Sequence, residues 1–341
     1  MTGFKLFRRI VPALLLCCAL APVSGAPVRL IFDTDMGNDV DDAVGLAMIH
    51  ALESRGEAKL LAVTVTKDNR WAAPFIDAMN TFYGRGEVPI GVVRHGKTPE
   101  DAKMIQLPAE RKRLDGSFVY PHHLVDGREA PEAVGLLRRI LAKEPDGGVA
   151  IVQVGFSTNL ARLIDSQPDA FSPLPGRDLV QRKVRLLSMM GGAFPDGKPE
   201  YNIEKDIPAA KQLFREWPTP IVTSGYEVGL KIKYPASSIL HDYGYVEDHP
   251  LAESYRDYMK MPYDRPMWDP TAVLYAVRPD SFSLSSPGKI DVDDRGRTHF
   301  SADPQGKHRY LVASPEQGTA ALRAIVELAS QPPDRLAKGT R

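Results

Sequence analysis

The sequence predicts an α/β protein: an open, mostly parallel β-sheet flanked by helices, with a Rossmann-like core. Three observations carry this reading. Apolar strand-like runs alternate with helix-like segments, as parallel strands joined by crossover helices do. Polar clusters fall at the ends of those strands, where such sheets bind their ligands. The chain has 341 residues, 43% of them hydrophobic, enough to bury a large core.

In chain order the strand candidates are Val28–Thr34, Lys59–Thr66, Val88–Val93, Val149–Gly155, Val184–Met190 and Pro220–Thr223. Between them, helical patterns run near Val40–Leu52, Trp71–Tyr83, Pro131–Ala142, Asn159–Asp165 and Ile207–Glu216. Tyr226–Pro262 is rich in Tyr, His and polar residues and is expected to form helices and loops over the strand ends. Arg265–Val277 reads as a further helix headed by Asp-Pro, a common helix start. Lys97–Gly127 lacks clear periodicity and reads as an insertion or a mobile lid. The histidines, His122, His123 and His241 among them, lack metal-ligand spacing and read as surface or loop residues.

The first 26 residues are a separate matter. Lys5, Arg8 and Arg9 precede an apolar stretch from Ile10 to Ala21, and Ser24, Gly25 and Ala26 follow. Basic, apolar and small-residue regions in that order build a secretory signal peptide, too short in its apolar part to span a bilayer comfortably. The mature chain, 27–341, is then expected to be one exported α/β domain, periplasmic or secreted. Both cysteines, Cys17 and Cys18, lie in the leader, so the mature chain has neither disulfide nor thiolate. Forty-three basic and forty-three acidic residues give a formal net charge of zero, which argues against a nucleic-acid binder.

The stretch that carries chemistry is "RLIFDTDMGNDVDDAVGLA", Arg29–Ala47, with Asp33, Asp35, Asp39, Asp41 and Asp42 at the exit of a buried strand. Carboxylates this close repel one another, and partial burial makes that worse. Helix capping explains one or two of them. A phosphotransferase with an Asp-x-Asp pair would want a later lysine and a second acidic pair, and no such pair is evident. A hard cation, which takes carboxylate, carbonyl and water oxygens, fits best.

These residues resemble the calcium-dependent nucleoside hydrolases of the inosine-uridine-preferring type, whose hallmark is Asp-Thr-Asp-x-Gly leading into Asp-Asp-Ala at a helix start. Further matches follow in order: "VTVTKDN" with Asn69, "GFSTNLARL" with Thr158, "MMGGAF…PEYNIEKDIPAA" with Glu200 and Asn202, and "WDPTAVLYA" with Asp269. The resemblance covers most of the mature chain. It implies Ca2+ held by the carboxylates of Asp35, Asp42 and Asp269 and the backbone carbonyl of Thr158. Asp35 would also accept the proton of the attacking water, and Asp41, Asn69, Glu200 and Asn202 would hold ribose hydroxyls. "GNDVDDA" has two more residues than the shorter family form, so Asp39 competes with Asp41 for the ribose-facing position. Anchoring on Asp42-Ala43 leaves Asp39 as an extra carboxylate near the metal.

Trp268 stands where many members carry a histidine that protonates the leaving base. In a purine-specific branch a tryptophan there stacks on the base, so purine preference is implied. The expected activity is hydrolysis of nucleosides to ribose and base. A small-molecule nucleoside or riboside is the implied partner, a homo-oligomer is compatible with it, and neither nucleic acid nor lasting membrane association is expected. Two rival readings are a nucleoside- or sugar-binding protein without turnover, and a hydrolase of another N-riboside.

Overall fold

The computed structural model describes residues 25–195 and 197–337. Residues 1–24, nearly all of the expected signal peptide, lie outside the described residues.

The strands are β1 Val28–Thr34, β2 Ala58–Lys67, β3 Ile90–Lys97, β4 Val149–Gln153, β5 Val184–Met190, β6 Ile221–Ser224, β7 Lys233–Tyr234, β8 Arg265–Pro266, β9 Ser283–Leu284, β10 Gly288–Val292, β11 Thr298–Ala302 and β12 His308–Val312. The helices are α1 Asp41–Ser54, α2 Ala72–Phe82, α3 Lys103–Glu110, α4 Ala133–Lys143, α5 Thr158–Asp165, α6 Gly176–Lys183, α7 Tyr201–Lys205, α8 Ile207–Glu216, α9 Tyr226–Gly229, α10 Ala236–His241, α11 Pro250–Tyr258, α12 Asp269–Val277, α13 Pro315–Ala329 and α14 Asp334–Ala337.

The main sheet runs β11-β10-β12-β6-β5-β4-β1-β2-β3, and every neighbouring pair from β12 to β3 is parallel. From β1 the chain builds outward through β2 and β3, then returns to lay β4 on the other side of β1. The crevice where strand order reverses, at the carboxyl ends of β1 and β4, is where such sheets bind ligands. The backbone closes up there: the N–H groups of Val154 and Gly155 both donate to the carbonyl of Asp33, at 2.7 and 3.3 Å.

Each face of the sheet is covered by its own apolar layer. Leu30 and Phe32 of β1 point into the cluster shared with α1, α2, α11, α12 and α13, while Ile31 belongs to the opposite cluster under α4, α5, α6 and α8. That alternation is the two-residue period of a strand buried on both sides.

The structure departs from the sequence reading in four places. Lys97–Gly127, which showed no clear periodicity, carries α3, which buries Met104 and Ile105 and packs on α2 and α11. Arg265–Pro266 is a short strand paired with β7, and the helix begins only at Asp269. The parallel sheet gains β12, with β10 and β11 antiparallel beyond it. His50 and His308 lie inside α1 and β12 rather than on surfaces or loops, and His249, in the loop before α11, is buried too; each ring packs against an aromatic side chain where a neutral imidazole is tolerated.

Candidate active site

The aspartate segment is placed by a tight turn between β1 and α1. Gly37 has φ +108°, a backbone conformation that L side chains rarely adopt, so the turn calls for glycine. After that turn Asp41 and Asp42 form the first turn of α1, where the helix dipole favours negative charge. Asp42 accepts a hydrogen bond from the Thr34 hydroxyl. Asp41 Oδ2 accepts from the backbone N–H of Trp268 at 2.9 Å and of Asp269 at 3.0 Å. This pair of bonds ties the start of α12 to the start of α1. As a result one carboxylate oxygen each from Asp41, Asp42 and Asp269 lies within 4.8 Å of the others.

Asp35, Asp41, Asp42, Glu200, Asn202, Trp268 and Asp269 all line one cavity of about 360 Å³. The sequence missed several of their neighbours in it. Asn38 donates from Nδ2 to Asp35 Oδ2 at 2.7 Å and accepts from Lys67 Nζ at 2.9 Å, so a cation is linked to Asp35 through an amide. Tyr201, Tyr226, Tyr258 and Arg265 also face this cavity. "TKDN" shows Lys67 in the sequence, but nothing there indicates that its amine turns back to Asn38.

Two predicted residues lie elsewhere. Asn69 has its amide fully engaged: Nδ2 donates to the carbonyls of Pro99 and Glu100 and to Asp101 Oδ1, each at 3.1 Å, and Oδ1 accepts from the Trp71 N–H. It clamps a loop beside a second, smaller cavity and does not line the first. Thr158 is the first residue of α5, so its carbonyl points along the helix into the i to i+4 ladder, away from the strand ends. Its hydroxyl donates to Asp206. The residue of this segment that lines the cavity is Val154, whose carbonyl sits at the end of β4 and accepts from Asn202 Nδ2 at 2.7 Å.

Asp39 has a partner that the sequence did not indicate. It lines the cavity, but both its oxygens pair with Arg265. Glu200 caps α7, accepting from the N–H groups of Gly192, Asn202 and Ile203 at 3.0–3.3 Å.

Electrostatics follow from this crowding. Burial raises Asp41, Asp42 and Asp269 well above the carboxylate range, and their neighbours' charges push them further. Burial likewise lifts Asp35 to about 6 and Glu200 to about 7. Asp33, beneath the cavity, is lifted by burial to about 7 and accepts from Thr64 and Asn159. A set of buried hard oxygens that oppose one another's ionisation fits a divalent cation, which would restore all of them to the charged form.

Comparison with known proteins agrees with this geometry. The family profile described as inosine-uridine preferring nucleoside hydrolase matches residues 30–328. The pyrimidine-specific ribonucleoside hydrolase RihA of Salmonella paratyphi B is 26% identical over 281 residues, covering 74% of this chain and 81% of that enzyme. RihA of Citrobacter koseri is 28% identical over 225 residues, 61% of this chain and 62% of that enzyme's length. Among solved structures, the inosine-uridine preferring nucleoside hydrolase from Bacillus anthracis shares the fold, with a TM-score of 0.67 at 17% identity over 89% of this chain and 99% of that one. With the profile matched from β1 to α13 and the carboxylates converging where β1 and β4 part, the chain belongs to the inosine-uridine preferring nucleoside hydrolase family, a family of N-glycosyl hydrolases.

Proposed function

We propose that this protein hydrolyses the N-glycosidic bond of ribonucleosides, releasing ribose and the free base, with a calcium ion in the carboxylate cluster. The observation that carries the reading is the convergence of Asp35, Asp41, Asp42 and Asp269 with Glu200 and Asn202 on one cavity. Asp35, Asp42 and Asp269 would hold the ion, with the Val154 carbonyl in the place expected of Thr158. A bound divalent cation there supplies positive charge and acidifies a water molecule.

The protein's own groups do the rest. Asp35, oriented by Asn38, accepts the proton of the attacking water. Asp41, Glu200 and Asn202 hold ribose hydroxyls and stabilise the cationic character that builds at the anomeric carbon. The aromatic side of the cavity, Tyr226, Tyr258 and Trp268, receives the base.

On that side Trp268 supports the purine preference: its ring is fixed by stacking on Tyr226 at 5.6 Å and by its indole N–H bond to the Tyr226 carbonyl at 2.9 Å. Stacking of a base on such a ring is worth roughly 1–3 kcal/mol. The pyrimidine-specific names of the relatives favour the opposite preference. Rates of the purified chain with inosine, adenosine, uridine and cytidine, each with calcium and with chelator, test the activity and the base together. Release of reducing sugar that requires metal is the expected result. Binding without turnover would leave the family scaffold acting only as a receptor.

The leader also supports export, and N-terminal sequencing of the exported protein is expected to begin within a few residues of Pro27.

A further inference from the structure

One charged side chain in the cavity has no place in the roles above. Among its described lining residues Arg265 is the only Lys, Arg or His, in a wall otherwise crowded with carboxylates. Its guanidinium lies over Trp268, 5.3 Å from the ring centroid, and over Tyr258 at 5.1 Å, on the aromatic side of the cavity. Asp39 fixes it there: Nε donates to Oδ1 at 2.9 Å and one terminal nitrogen donates to Oδ2. That leaves Nη1 with no protein partner among the described residues. Asp39 lies in the same turn between β1 and α1 as Asp35, so this turn carries both a hydrolytic carboxylate and the anchor of the guanidinium.

We propose that Arg265, positioned by Asp39, stabilises the departing base by donating a hydrogen bond as its negative charge develops. The inference rests on the nucleoside hydrolase reading of the cavity. A nucleobase is flat and leaves from the aromatic side. Pyrimidines and purines both present a ring-edge acceptor beside the glycosidic nitrogen, O2 or N3, where electron density arrives. In the step, the C1′–N bond breaks and its electron pair goes to the base. The water oxygen bonds to C1′, and the water proton passes to Asp35. The base then takes a proton from solvent, and Asp35 returns its own to solvent. Arg265 remains charged throughout, donating without transferring a proton, so no histidine is needed before Asp269. Arg265 is the catalytic residue here and Asp39 a positioning one.

The test compares two leaving groups. A nucleoside such as uridine or inosine, whichever the wild type cleaves faster, needs help to expel its base. A p-nitrophenyl β-D-riboside carries a leaving group stable as an anion and needs little. Arg265→Gln is expected to lower kcat/KM about 10²-fold on the nucleoside, as loss of one preorganised donor does, and tenfold less than that on the nitrophenyl riboside. Asp39→Asn, which keeps the shape but loosens the guanidinium, is expected to move the same ratio in the same direction by a smaller factor. Because Asp39→Asn is nearly isosteric, it answers the question if Arg265→Gln folds poorly. Equal losses on both substrates in either folded variant overturn the proposal and leave the ion pair structural. A wild type inert on both substrates overturns the hydrolase reading itself, a result the variants cannot mimic.

Discussion

Helix α1 buries ionisable groups at both ends and treats them oppositely. At its start Asp41 and Asp42 face Asp269 and Asp35, and burial plus mutual repulsion raise their pKa values far from the normal range. Eight residues on, His50 is equally buried, its Nε2 bonded to Asn80 Oδ1 at 2.9 Å and its ring stacked 4.9 Å from Tyr83. Burial, helped by the charge of Arg85, lowers its pKa to about 3. A histidine solves burial by remaining neutral, which requires nothing from outside. Several carboxylates aimed at one point have no such exit unless they give up the charge that makes them useful. The first end gathers carboxylates that a cation could hold charged; the second keeps a neutral ring, bonded through Nε2 alone, with Nδ1 buried and without a hydrogen-bond partner.

The largest effect that separates the two ends is on rate. Asp35→Asn removes the proton acceptor and is expected to lower turnover by about 10²–10⁴, with far-UV circular dichroism unchanged. Near wild-type turnover with metal present would remove Asp35 from the mechanism. Next comes stability. Chelation is expected to lower the thermal midpoint, since a ligand at about a hundred times its Kd contributes about 2.7 kcal/mol. Asp42→Asn should abolish that metal-dependent shift while His50→Gln keeps it, and a chelator-insensitive midpoint in the wild type would erase the contrast between the helix ends.

The histidine end gives a pH signature. With a folded pKa of about 3 against 6.5 when unfolded, His50 gains its proton only on unfolding, so stability falls as pH drops from about 6.5 towards 3. Each such histidine contributes about 1.4 kcal/mol per pH unit, and denaturant titrations of His50→Gln should show the slope reduced by about one proton. An unchanged slope would mean the histidine does not contribute. The smallest effect distinguishes two neighbours. Asp41→Ala leaves the N–H groups of Trp268 and Asp269 unpaired and should cost about 1–3 kcal/mol. Asp39→Ala, which breaks a partly exposed pair, should cost under about 1 kcal/mol. Urea midpoints in the reverse order would mean that Asp39 rather than Asp41 anchors α12.

The parts of the site legible in the sequence are those set by the main chain. A strand ending in Asp33-Thr34, a glycine turn and a helix beginning at Asp41 determine where those carboxylates stand, and β1, β5 and α8 match their expected bounds residue for residue. What was not legible depends on which way a side chain or carbonyl turns. Asn69 follows a strand as a ligand residue would, yet its amide is drawn to the 99–101 loop. Thr158 sits one turn too far along, inside a helix whose ladder takes its carbonyl. Arg265 gave no signal because its partner, Asp39, lies 226 positions away. β10 and β11 are short and half polar, with too little apolar alternation to stand out.

The bonds from Asp41 to the backbone of Trp268 and Asp269 cross 227 and 228 positions of chain. During synthesis the N-terminal aspartates emerge early and must wait for more than 220 further residues before they acquire their opposite wall. A ribosome-bound or truncated chain ending before α12 therefore has the acidic turn without the carboxylate that closes it. The three-carboxylate cluster of Asp41, Asp42 and Asp269 therefore exists only once the chain has been made past α12.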